Sequence, residues 1–323
     1  MPATASVLSV RAEIERRLIA AMRQQLGRGV CDRLDDPAVI EILLNPDGIL
    51  WEDRLGEGMR EIGTMSAVAA ESFISVVASS LHTEITRANP ILEAELPIRG
   101  ARFEALIRPA VQAPVFNIRL KAVKIFTLAD YVADGIMTAR QRAVIEDENA
   151  ARHNILVVGG TGSGKTTLAN AILAHTAEVA PDDRIVLLED TIELQCNARN
   201  HVALRTTDTV DMRRLVRASM RLRPDCIVVG EVRGGEALDM LKAWNTGHKG
   251  GLCTLHANSA RSALTRLEQL VAEVTTGDMR AVIAEAIDVI IAIVKTKTSR
   301  VVEQIVRVDH FEAGQYVLSN LED

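Results

Sequence analysis

The sequence predicts an α/β fold in two parts. The C-terminal part is a parallel sheet with helices on both faces, and a smaller α+β domain precedes it. Three observations predict this. From Asn154 onward, apolar strands (ILVVGG, RIVLLED, CIVVGE, GLCTLHA) alternate with helical stretches, the signature of parallel strands joined by crossover helices. One junction, ILVVGGTGSGKTTLANAIL, runs from strand to helix through a glycine-rich loop. Ahead of Asn154, strands and helices mix without that alternation. The expected division is an N-terminal domain over 1–125, a linker over 126–137 and the second domain over 138–323.

The elements follow in order. Residues 8–28 carry apolar and charged residues at helical spacing and stop at LGRG. VIEILL, NPDG and ILWED read as strand, turn and strand, with φ preset at Pro46 and a permissive Gly48. SAVAAESFISVVASSLH, 66–82, is an amphipathic helix opened by Ser66. ILEAELPIRGARFEALIRP gives two strands joined around Arg99-Gly100, and VFNIRLK gives another. TLADYVADG and TARQRAVIEDENAARHN each begin with threonine, a favourable N-cap. In the second domain, helices near 209–221 and 235–245 separate the strands, and IDVIIAIV at 287–294 reads as a buried strand.

Composition narrows the function. The chain has 323 residues, 48% hydrophobic and 25% charged, which fits a soluble globular protein with a sizeable core. A net charge of −6 and 3% aromatic residues disfavour direct nucleic-acid binding, which wants a basic footprint or rings for stacking. Cys31, Cys196, Cys226 and Cys253 form no CxxC pair and read as reduced cytoplasmic thiols. No run approaches the roughly 18 apolar residues of a membrane span. Any contact with a membrane is therefore expected to be peripheral.

The glycine-rich loop carries the strongest chemical signal. Gly159, Gly160, Thr161, Gly162, Ser163 and Gly164 let backbone N–H groups close around phosphate oxygens, and the helix N-terminus adds its positive end. Lys165 reaches the β- and γ-phosphates, Thr166 offers a hydroxyl to Mg²⁺, and Thr167 continues the helix. The motif implies a nucleoside triphosphate, ATP, with Mg²⁺. In CIVVGE the usual metal-side Asp is replaced by Gly230, while Glu231 keeps the position that orients or activates water. RIVLLEDTIEL supplies the missing carboxylates: Glu189 as a catalytic group and Asp190 at the metal beside Thr166, with Glu193 close behind.

GHKGGLCTLHANSA places His256 near the end of a core strand, on the edge shared by Glu231 and the phosphate loop. There it can sense the γ-phosphate or its water; the alternatives are a structural histidine or a metal ligand. A metal would need His248, Cys253 and His256 to converge, but Cys253 and His256 point to opposite faces of an extended strand. DMRRLVRASMRLRPD puts Arg213, Arg217 and Arg221 on one helical face. That is either a solvated stripe or a contact surface, since like charges at this spacing repel. Arg102 and Arg119 alternate with apolar residues on strands, so both are expected near one sheet face.

Taken together, GGTGSGKTT, LLEDTIEL, RLRPDCIVVGEVRGGEAL and GHKGGLCTLHANSA resemble the phosphate loop, acidic box, modified second strand motif and histidine box of the type II/type IV secretion traffic ATPases. NPDGILWE, LPIRGARFEALI and VFNIRL resemble that family's N-terminal domain. Short length and the lack of a cysteine-tetrad insertion favour the conjugal-transfer branch. The resemblance implies a RecA-like ATPase domain and a cytoplasmic homohexamer, peripheral at the bacterial inner membrane and docked on inner-membrane components of a secretion channel. It further implies ATP bound between the two domains and against a neighbouring subunit, with Arg102 and Arg119 as nucleotide-touching arginines.

Overall fold

The computed structural model describes residues 3–55, 57–121, 125–296 and 299–322. The chain divides into two compact units, Met1–Lys124 and Ile125–Asp323.

In the first unit, α1 (Ala3–Leu26) stops where Gly27 takes a φ of 77°, and α2 (Arg28–Leu34) follows. The strands are β1 (Val39–Leu44), β2 (Ile49–Arg54) and β3 (Gly58–Thr64). Then come α3 (Ala67–Ser80), β4 (Ile91–Glu95), β5 (Arg102–Leu106) and β6 (Val115–Arg119). The strands form one antiparallel sheet in the order β3-β2-β1-β6-β5-β4. NPDG turns β1 into β2, with Gly48 N donating to the Asn45 carbonyl at 3.0 Å. Ser66 caps α3 by accepting from Ala69 N. Phe73 of α3 lies edge-on against Phe103 and Phe116 of the sheet, at 5.4 Å from each, and centres this unit's core. β3 lacks a sequence signature because it is the edge strand and nearly all its residues are exposed.

The second unit begins with α4 (Leu128–Ala133) and α5 (Ala139–Ala150), both opened by threonine capping boxes. Next come β7 (Ile155–Gly159), α6 (Lys165–Val179), β8 (Ile185–Glu189) and β9 (His201–Arg205). After them lie α7 (Met212–Ser219), β10 (Cys226–Val229), α8 (Glu236–Asn245) and β11 (Leu252–His256). The chain ends with α9 (Ala260–Ala272), α10 (Arg280–Ala286), β12 (Val289–Lys295), β13 (Arg300–Glu312) and β14 (Gln315–Asn320). The strand order is β14-β13-β12-β7-β11-β10-β8-β9, parallel from β12 through β9 and antiparallel at the β13–β14 end.

The pleat sends alternate side chains to opposite faces. Leu156 and Val158 of β7 join a core with residues of α7, α8, α9 and α10, whereas Ile155 and Val157 join one with residues of α4, α5 and α6. Helices therefore cover both faces of the parallel strands. Within 126–137, the stretch expected as a linker, Leu128, Tyr131 and Met137 are buried in the second of these cores. No described helix is long and apolar enough to cross a membrane. The winding has one consequence for function: Gly159, Glu189, Gly230, Glu231 and His256 all fall at or just beyond the carboxyl ends of adjacent parallel strands, where α/β sheets place their ligand crevices.

Candidate active site

The phosphate loop, from Gly159 through Thr167, joins β7 to α6. Gly164 adopts a left-handed φ of 95° as the N-cap of α6 and supplies no side-chain cap, so the first-turn amides remain open to an anion. Lys165 is buried at 7% exposure; its Nζ donates to the Gly160 carbonyl at 3.1 Å and lies 3.4 Å from both ring nitrogens of His256. The Ser163 hydroxyl is buried without a hydrogen-bond partner among the described residues. At Gly159 a Cβ would run into Ser163 and the Ile293 carbonyl, so the strand can meet the loop only through glycine. An uncapped helix start, a buried lysine and a buried hydroxyl lie within this one loop, and this donor set fits a polyphosphate. Beside it opens a cleft of about 550 Å³ lined by Gly160, Thr161, His256, Asn258, Ser262 and Arg266.

A line of charged groups crosses the strand ends away from the loop. His256 Nε2 lies 3.0 Å from Glu231 Oε1. The other oxygen, Oε2, accepts from Arg233 Nε at 2.6 Å and also pairs with a terminal nitrogen of the same guanidinium. Arg233 stands 4.0 Å from Asp190. Lys165, His256, Glu231, Arg233 and Asp190 thus link the ends of β7, β11, β10 and β8. Burial, and then the Lys165 charge, hold the His256 imidazole below its ordinary pKa, against the opposing pull of Glu231. The neutral ring is favoured.

The acidic box is arranged differently. Glu189, 3% exposed, accepts the backbone N–H groups of Glu193 and Leu194 on Oε1 at 2.8 and 2.7 Å. It thereby folds the segment after β8 back onto the strand end. Thr166 Oγ1 donates to Glu193 Oε2 at 3.3 Å, so the carboxylate beside Thr166 is Glu193, while Asp190 faces Arg233. Gly230 leaves the room Glu189 uses: a Cβ there would lie 3.1 Å from Glu189 Cγ. Thr254 Oγ1 fixes the same turn by donating to the Gly230 carbonyl at 2.6 Å.

Several residues singled out in the sequence fall elsewhere. Arg102 and Arg119 are direct cross-strand neighbours on β5 and β6, and Arg119 lies 3.5 Å from Glu41. Arg213 and Arg217 both bind Asp239 of α8, at 2.9 and 3.0 Å, and Arg221 lies beyond the end of α7. His248 Nδ1 donates to the Ala243 carbonyl at 3.1 Å, and Cys253 Sγ donates to the Thr254 carbonyl, each apart from His256. Among the described residues no group of three or more His, Cys, Asp or Glu forms a metal cluster. Arg233 drew no attention in the sequence, although its place two residues after Glu231 puts it on the same side of an extended backbone.

The profile of the Type II/IV secretion system protein family matches residues 59–315. The chain is 51% identical to the probable conjugal transfer protein TrbB of Sinorhizobium fredii over 304 residues, covering 94% of each chain. It is 50% identical to the conjugal transfer protein TrbB of Rhizobium radiobacter over 300 residues, covering 93% of each. Among solved structures, the Legionella pneumophila ATPase DotB superposes with a TM-score of 0.60 at 21% identity, over 86% of this chain and 78% of that one, a likeness of fold. The chain belongs to the Type II/IV secretion system protein family.

Proposed function

We propose that this chain is the ATP-hydrolysing hexameric motor of a bacterial type IV secretion or conjugal DNA transfer system, powering channel or pilus assembly and substrate transfer. Its second unit is then a RecA-like ATPase domain. The observation that carries the reading is the contact of His256 with both Lys165 of the phosphate loop and Glu231, 91 and 25 residues apart along the chain. Conjugal transfer relatives at 51% and 50% identity along almost the whole chain support the assignment to DNA transfer. On the same ground we place the motor in the cytoplasm, docked on inner-membrane components of the channel.

The chemistry follows from the chain's own groups. Lys165 and the amides from Gly160 through Thr167 hold the β- and γ-phosphates. Thr166 and Glu193, with Glu189 and Asp190 behind them, form the side that would hold Mg²⁺. Bound there, Mg²⁺ supplies positive charge against the phosphate oxygens. Glu231 orients the attacking water and takes its proton as the bond from the γ-phosphorus to the bridging oxygen breaks, releasing ADP and phosphate. Neutral His256, between Lys165 and Glu231, reports the γ-phosphate to the carboxylate. Arg233 must loosen its hold on Glu231 before Oε2 can turn to the water, because the guanidinium occupies that oxygen. Arg102 and Arg119 complete the charge around the nucleotide, in keeping with the family resemblance.

ATP turnover followed together with oligomeric mass tests the proposal. The wild type should hydrolyse ATP in a six-subunit species, and Glu231→Gln should assemble and bind ATP while losing turnover by about 100-fold or more. Turnover by a monomer, or an equally active Glu231→Gln protein, would sink it.

A further inference from the structure

Arg300, the first residue of β13, packs against the phosphate loop from the flank opposite Glu231 and His256. Its Nε donates to the Gly162 carbonyl at 3.4 Å, and its Cδ lies 3.1 Å from where a Cβ on Gly164 would stand. A side chain at 164 would crowd that approach. The side chain is half-buried, and among the described residues no carboxylate pairs with it. Two residues on, Val302 N donates to the Ile136 carbonyl at 2.8 Å, which sets the segment after α4 beside the start of β13.

Sheet order gives this position its meaning. β11, β10 and β8 lie on one side of β7 and carry His256, Glu231 and Asp190; β12 and β13 lie on the other. The contact of Lys165 with His256 orients the site, with the terminal phosphate toward β11. A nucleotide laid across the loop in that sense sends its nucleoside end toward β12 and β13. A guanidinium stationed there, with no carboxylate partner among the described residues, is suited to lie over a base face and to offer N–H groups to ribose or α-phosphate oxygens.

We propose that Arg300 is a nucleotide-binding residue that holds the nucleoside end of the bound nucleotide from the β13 flank of the phosphate loop. The proposal rests on the ATPase reading above and adds a contact outside the loop, the acidic box and the histidine box. The competing role is a mere buttress, in which Arg300 steadies the loop through Gly162 and touches no ligand.

Calorimetric titration of the full chain with ADP and, separately, with inorganic tripolyphosphate distinguishes the two. If Arg300 grips the nucleoside end, Arg300→Gln weakens ADP binding by about 3- to 30-fold and leaves tripolyphosphate affinity unchanged. Arg300→Lys, a milder change at the strand start, keeps the charge without the planar face and should lose most of the same factor for ADP alone. Equal weakening of both ligands would make Arg300 a buttress and overturn the proposal, as would unchanged ADP affinity in both variants. Lys165→Ala should lose both ligands. A wild-type chain that binds neither ligand would remove the ATPase reading and this contact with it.

Discussion

The exchange at Gly230 shows what a single residue decides here. The position ordinarily filled by a metal-side carboxylate is empty of side chain, and the buried Glu189 occupies the space. Restoring the aspartate should therefore harm the protein: Gly230→Asp drives a second carboxylate against a buried one. Urea unfolding should show a loss of about 2–4 kcal/mol, and wild-type stability would contradict this packing. His256 yields a prediction about pH. Its folded-state pKa lies below the ordinary histidine value of about 6.5 because burial and Lys165 oppose the imidazolium. In the window below that value the unfolded chain binds more protons, so this residue's contribution to stability declines as pH falls through it. An NMR titration of the His256 ring should place its midpoint below that of an exposed histidine, and Lys165→Met should move it upward. A midpoint indifferent to Lys165 would remove the contact from the account.

At the scale of elements, much was legible because the signals are local. Thr127 and Thr138 announce their helices, and both make full capping boxes with Asp130 and Gln141. Thr138→Ala should cost about 1 kcal/mol of stability, measurable as a lowered unfolding midpoint; no change would mean that α5 is held by burial alone. The phosphate loop, Glu231 and His256 were legible for the same reason, since strand, loop and helix follow one another in the chain. What stayed hidden depends on partners distant in sequence. The arginine stripe of α7 read as repulsive or available to a partner, yet Asp239, 26 and 22 residues further on, takes both Arg213 and Arg217. Asp239→Ala should then destabilise by about 1 kcal/mol. Adding Arg217→Ala should cost nothing more, and full additivity would show the pair to be uncoupled. Glu193 was overshadowed by Asp190 because only the backbone fold imposed by Glu189 turns it toward Thr166. β3 escaped because it is an edge strand with nearly all its residues exposed.

At the scale of the whole molecule, the two units divide the chemistry unequally. Lys165, Thr166, Glu193, Glu231 and His256 belong to Ile125–Asp323, whereas Arg102 and Arg119 belong to Met1–Lys124. Those two arginines are direct cross-strand partners, an arrangement of like charges that costs stability unless an anion or carboxylate meets it. Glu41 lies 3.5 Å from Arg119. If Arg119 has the role at the nucleotide proposed above, binding and turnover should separate cleanly between the units. Residues 125–323 expressed alone, with both helix-lined cores intact, should bind ADP with nearly the affinity of the full chain. Their phosphate release should fall by about 100-fold or more, since an arginine that stabilises phosphoryl transfer contributes on the order of 10³ to the rate. Arg119→Ala in the full chain should reproduce that loss while leaving ADP affinity and oligomeric mass unchanged. If the fragment instead turns over at the full rate, the first unit has no part in hydrolysis and the arginine pair must answer to another anion. If the fragment turns over slowly and Arg119→Ala does not, the first unit acts by assembling the ring, and catalysis across units reduces to oligomerisation.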